Sequence, residues 1–291
     1  MIPARAAPFL FVLLWSSAFV AVQIGLRHLS PLLFVAVRLV LCATVLTAIA
    51  LWRRVSLRRV GWRRAMHCAI AGVLMNGIGL MVPHVGLTMT TPAPIALVQS
   101  LTPLLSAGLG VVMLGERLRS RQWLGMVLGF AGVAAVAAIA ALHSARLVEG
   151  MAFGLGGVVS FVAGTIWFGR YCRGVPLLAG AWIQFLAAAA AAVLSASLLE
   201  TSRWDLSLGA VGAVAWNAGA VSLGGMGLYV LMLRDGTAAR TTANFYLVPG
   251  TTALLTWLLL GDRLTAPTLA GFVVAGIGCW LVSSGARPAS A

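Results

Sequence analysis

The chain has 291 residues, of which 61% are hydrophobic and 9% charged, and its formal charge is +14. That composition excludes a soluble globular domain. With only six acidic residues, four histidines and four cysteines, it leaves little for a carboxylate or metal centre.

Apolar runs recur almost end to end, near 7–26, 31–51, 66–86, 92–114, 121–141, 150–169, 175–198, 208–232, 241–260 and 266–284. Each is close to the roughly 20 residues that a spanning helix needs. The expected fold is therefore an all-α membrane protein of ten transmembrane helices. No segment alternates in the manner of a membrane β-barrel. Residues 7–26 could pass for a signal peptide, but they have a counterpart in the second half and lack a small-residue cleavage site, so they read as a first span.

All twenty basic residues are arginine. Arg53, Arg54, Arg58, Arg59, Arg63 and Arg64 crowd one connection, Arg117, Arg119 and Arg121 a second, Arg170, Arg173, Arg234 and Arg240 two more, and Arg5 and Arg287 the tails. Ten spans put all of these on one side and only Arg27, Arg146, Arg203 and Arg263 on the other. The positive-inside rule then makes both termini cytoplasmic. Topogenic loops explain the charge, so no nucleic-acid partner is expected.

The chain is a duplication. Residues 86–118 and 232–264 align without a gap, placing Pro103 on Pro249, Gly115 on Gly261, Glu116 on Asp262 and Arg117 on Arg263. The register continues through Gly125 on Gly271 and Gly132 on Gly278, and Pro31 lies opposite Pro176 with a shift of one residue. The units are 1–145 and 146–291. Five helices per unit is an odd number, so the second inserts upside down relative to the first, an inverted repeat.

No Asp or Glu lies deep in a span, which argues against carboxylate-driven antiport and intramembrane acid catalysis. No phosphate-binding loop appears. Cys42, Cys68, Cys172 and Cys279 are scattered and show neither a disulfide framework nor a metal knuckle. Neither a cofactor nor a metal is expected.

The polar residues inside the spans are the candidates. Pro103 and Pro249 fall within apolar runs, where a mid-helix proline frees the carbonyl four residues earlier, here those of Gln99 and Phe245. Irregular backbone at membrane depth survives where protein or a watery cavity satisfies it. Trp15, Ser16, Asn76, Gln99, Asn217, Asn244 and Tyr246 are therefore expected to bind substrate, although polar and aromatic residues also serve as packing between helices. Arg38 sits about seven residues into the second span, where charge costs at least ~2.5 kcal/mol. It either holds an anionic substrate group or anchors helix-end carbonyls, and its counterpart is Gln184. His84, past Pro83, is the one titrating side chain near such a pathway, or else an interfacial residue.

These features resemble the drug/metabolite transporter superfamily, specifically its EamA-type ten-helix members. The resemblance rests on LLWSSAFVAVQIGL at 13–26, Arg38, the tract from Thr91 through LTPLLSAGLGVVMLGERL at 101–118, and LVPGTTALLTWLLLGDRL at 247–264. It implies two inverted five-helix repeats around a central cavity, and export of amino acids, other metabolites or drugs. Asp262 stands where the repeated motif has a glutamate.

The expected function is a multi-pass secondary transporter of the bacterial inner membrane, not an enzyme. It would export small metabolites by alternating access, in contact with lipid and without an obligate protein partner. Without a deep carboxylate, the outward metabolite gradient is the expected driving force. A lipid-linked or small-molecule flippase on the same scaffold and a non-transport membrane receptor are the alternatives.

Overall fold

A computed structural model describes residues 7–56, 60–114, 119–143, 145–235, 243–261 and 266–284. The described chain is almost wholly helical, and its one β-bridge pairs Leu29 with Trp204. Ten helical columns run in sequence: α1 (Ala7–Gly25), α2 (Pro31–Trp52), α3 (Trp62–Gly86), α4 (Pro92–Gln99 and Thr102–Leu114), α5 (Ser120–His143), α6 (Ala145–Tyr171), α7 (Leu177–Leu199), α8 (Leu208–Asp235), α9 (Ala243–Tyr246 and Val248–Leu260) and α10 (Ala266–Ser284). Among the described residues seven helices are long and apolar enough to cross a membrane, and Val248–Leu260 and Leu269–Gly278 add shorter apolar stretches.

The columns follow from chemistry. Lipid offers no partner for backbone N–H and C=O groups, so the chain satisfies them internally by coiling. Lipid tails are as apolar as leucine, so helices associate by close packing at small residues instead of by expulsion of water. The glycines show this directly. A Cβ on Gly278 of α10 would collide with the backbone of Gly129 and Gly125 in α5, and one on Gly132 would press on Gly271 and Ala275. Gly125, Gly132, Gly271 and Gly278, paired by the duplication, thus face one another across the α5–α10 seam. Gly86 and Gly150 do the same between α3 and α6, and Gly72 of α3 lies against the backbone of Gln184 in α7.

Two helices depart from α geometry at matching places. α3 widens into a π-helix at Val73–Ile78, and α8 at Asn217–Gly225. The register that sets Pro103 on Pro249 sets the first segment inside the second. Widened turns of this kind recur at functional sites.

The prolines act differently from the sequence expectation of kinks within continuous helices. α4 breaks at Ser100 and Leu101, and Pro103 stands in the first turn of the second piece. Pro249 likewise stands in the first turn of Val248–Leu260, after a short 3₁₀ turn. Proline fits there because the first turn has no intrahelical acceptor for its missing N–H. Thr102 Oγ1 donates to the Gln99 carbonyl at 2.6 Å and Ser100 Oγ to that of Leu97 at 2.6 Å, so the break satisfies itself locally.

At the face where α1 ends, the α1–α2 and α7–α8 connections are clasped together. Glu200 accepts from the N–H groups of Leu32 and Leu33 and from Ser30 Oγ, capping α2 with negative charge where its dipole is positive. Arg203 Nη2 donates to the Leu26 carbonyl at 2.6 Å and His28 pairs with Asp205 at 2.8 Å. The opposite face carries the arginine-rich α2–α3 connection.

Candidate functional site

Buried within the bundle is a cavity of about 40 Å³, room for a water or two. α1 contributes Trp15, Phe19 and Val22, α2 Arg38, α3 Leu80, Pro83 and His84 with Leu87 just past its end, α4 Gln99, and α8 Val221. Four of the residues singled out from sequence, Trp15, Arg38, His84 and Gln99, therefore meet at one place. They come from four helices and share no local sequence signal.

Each polar member is held. Trp15, near the middle of α1, donates its indole N–H to Gln99 Oε1 at 3.0 Å, which joins α1 to α4 just before the α4 break. Arg38 is 3% exposed. Its Nε donates to Ser222 Oγ at 2.7 Å and its Nη1 to Asn217 Oδ1 at 2.9 Å. Both acceptors lie in the π segment of α8, and Asn217 in turn donates to the Ala213 carbonyl at 3.1 Å. Next to them, Cys42 Sγ donates to the Ala218 carbonyl at 3.4 Å. His84 is buried and donates from Nδ1 to the Leu80 carbonyl, 2.7 Å away. A carbonyl only accepts, so Nδ1 carries the proton. Nε2 is buried with no partner among the described residues.

The other sequence candidates sit elsewhere. Ser16, fully buried, donates to the Val248 carbonyl at 3.3 Å and ties α1 to the residue before Pro249. Asn76 is buried in the π segment of α3 but does not line the cavity. Asn217 reaches the site only through Arg38. Asn244 is half-buried and donates to Met232 Sδ at 3.9 Å, away from the cavity. The Tyr246 side chain lies outside what the structure describes.

An aromatic layer that sequence reading did not anticipate closes the site toward the arginine-rich face. Phe11, Trp15, Phe161, Tyr229 and Phe245, from α1, α6, α8 and α9, pack ring against ring. Centroids are 5.2 Å apart for Phe11–Trp15 and Trp15–Phe245, 5.3 Å for Phe11–Phe245 and 5.9 Å for Trp15–Phe161. All five are buried. Edge contacts of this kind add about 0.5–1.5 kcal/mol each beyond area burial. Along α1, the layer takes Phe11 and Trp15, and the cavity takes Trp15, Phe19 and Val22. Trp15 is thus the boundary between them. At the arginine-rich end of α3, Cys68 and Cys172, distant in sequence, share a hydrogen bond, which together with burial pushes the Cys172 thiol up.

A duplicated helical bundle with broken and widened helices around a small, largely apolar cavity that holds a few polar groups has the architecture of a membrane transporter. The chain belongs to the EamA-like transporter family, whose pattern matches residues 6–138 and again residues 148–284. It is 26% identical to YedA of Escherichia coli K12, described as an uncharacterized inner membrane transporter, over 91% of this chain and 85% of that one. It is 24% identical to the uncharacterized transporter YvbV of Bacillus subtilis 168, over 90% and 86%. One crystal structure of a protein 23% identical to this chain superimposes with a TM-score of 0.70 over 98% of both chains, a likeness of fold.

Proposed function

We propose that the chain is a secondary transporter that exports small metabolites across the bacterial inner membrane by alternating access. In this reading both termini and the arginine-rich face are cytoplasmic, and the cavity lined by Trp15, Arg38, His84 and Gln99 is the substrate site. The observation that carries it is the pairing of this cavity with the aromatic layer beside it: a polar pocket closed on one side by a dry, repackable wall. The halves would rock about the α4 and α9 breaks, while the glycine seam between α5 and α10 stays packed. Among the described residues no carboxylate lines the cavity, which supports a solute driven by its own gradient or by exchange.

The test has two stages. The medium of a strain overproducing the protein is profiled against that of a deletion strain, and the solute that accumulates is used in counterflow with purified protein in liposomes. Labelled solute entering only liposomes that carry the protein and unlabelled solute supports the reading. A cell profile unchanged by the protein contradicts it. Orientation is tested separately: a cysteine replacing Ser56 stays unlabelled by an impermeant thiol reagent in intact cells, and labelling there reverses the orientation.

A further inference from the structure

The cavity's charge and hydrogen-bonding pattern are one-sided. Arg38 is the one charged residue that lines it. A guanidinium has five N–H donors, and the protein bonds recorded for this one run from Nε and Nη1 to two neutral acceptors. The ion pair found among the described residues, His28 with Asp205, lies at the α1–α2 clasp. A buried cation without a counter-ion is costly. In the same cavity His84, 5% exposed, leaves Nε2 unpartnered. Because Nδ1 carries the ring proton, Nε2 holds an unsatisfied lone pair, buried in a residue that lines the cavity.

The scaffold does not demand this arrangement. The duplication places Gln184 at the counterpart of Arg38 and Val230 at the counterpart of His84. Gln184 is also buried, against Gly72 beside the π segment of α3. One junction between a helix and a π segment is thus built without charge, and the other keeps a cation at the wall of the cavity.

We infer that this cavity, too small as described for more than a water or two and widened as the bundle opens, binds a small organic anion: a carboxylate that meets Arg38, bearing next to it an uncharged hydrogen-bond donor that meets His84 Nε2, as in a short 2-hydroxy acid. This rests on the cavity being the substrate site. An amino acid fits poorly, because its ammonium would enter a buried site that already holds a cation and offers no carboxylate. A neutral amide leaves the guanidinium uncompensated. The walls, Phe19, Val22, Leu80, Leu87 and Val221, accept only a short apolar remainder.

The experiment compares four probes of nearly equal size on purified protein by thermal stabilisation: L-lactate, propionate, L-alanine and lactamide. L-lactate is expected to bind about tenfold more tightly than L-alanine or lactamide, and propionate to fall between, because a site built to bond a group rejects analogues that leave it unpaired. Arg38→Gln, the residue the second half uses, is expected to abolish the preference for acids. His84→Phe is expected to erase the difference between lactate and propionate. If Arg38→Gln does not fold, Arg38→Lys is used, and it must keep the preference for acids at weaker affinity. The inference is overturned if L-alanine or lactamide stabilises as well as L-lactate, if no acid stabilises, if Arg38→Gln leaves the preference intact, or if Arg38→Lys loses it or binds acids as tightly as the parent. Counterflow of labelled L-lactate separates the two readings. Acid binding without counterflow removes transport and keeps the anion site. Counterflow of a solute that is not an anion keeps transport and removes this inference.

Discussion

The duplication sets the cavity and the aromatic layer side by side as two versions of one arrangement. The register that places Pro103 on Pro249 places Trp15 on Phe161, Gln99 on Phe245, Arg38 on Gln184 and Pro83 on Tyr229. In the first half Trp15 and Gln99 meet through a hydrogen bond at 3.0 Å, and Pro83 and Arg38 line the small cavity. Their counterparts Phe161 and Phe245 meet ring to ring at 6.1 Å, and Tyr229 packs with them. Equivalent positions thus make a polar pocket toward one face and a dry plug toward the other. An inverted repeat that rocks between two states needs one side open while the equivalent side is shut. On the proposed function, the difference in residue type makes the two sides unequal gates: one would recognise a solute and the other would seal.

The comparison is broken most severely at the seal. Phe245→Ala removes the ring at the centre of the layer, and truncation of a core phenylalanine costs about 3–5 kcal/mol. The expected result is a large fall in thermal stability together with a leak of small solutes through reconstituted protein. A tight, stable variant would show that the layer is not a gate.

Next is the charged junction. Arg38→Met strips Asn217 and Ser222 of their donor in a buried place, each loss worth about 1–3 kcal/mol. The counterpart change Gln184→Met is expected to cost under about 1 kcal/mol, because volume is conserved. Thermal unfolding of both variants in detergent decides between them, and equal effects would mean that the two junctions are alike.

A smaller effect is expected at the boundary residue. Trp15→Phe keeps a ring for the seal but removes the indole N–H, about 0.5–1.5 kcal/mol as a lost hydrogen bond. Solute affinity should weaken several-fold while stability stays near that of the parent. An unchanged affinity would place Trp15 in the seal alone.

Much of this was legible in the sequence because membrane insertion makes polarity conspicuous. The ten spans, the duplication and the glycine seam at Gly125, Gly132, Gly271 and Gly278 follow from the apolar runs and one alignment. Trp15, Arg38, His84 and Gln99 stood out because each is costly at depth and so needs a reason. The same signal also named Asn76, Asn217 and Asn244, because polarity alone cannot separate a residue facing a cavity from one serving a neighbour. Asn217, for instance, serves as the acceptor that holds Arg38. The aromatic layer was invisible because Phe11, Phe161 and Phe245 are ordinary in apolar helices, and only tertiary packing unites them. The π segments, which pack against α7 in α3 and against α2 in α8, match no proline or residue pattern that sequence reading singles out. The prolines were visible, but their place in a first turn depends on breaks upstream, at Ser100 in one half and Leu247 in the other.

The most direct measurement is counterflow of the exported solute by protein carrying Gln99→Leu. This variant keeps the volume of the side chain and removes the acceptor for Trp15 at the floor of the cavity. If the cavity is the substrate site, counterflow falls at least about tenfold, as expected when an oriented polar contact is lost at a binding site, while the variant reaches the membrane and unfolds near the parent temperature. Parent-level counterflow by a normally folded Gln99→Leu protein would place the substrate elsewhere in the bundle.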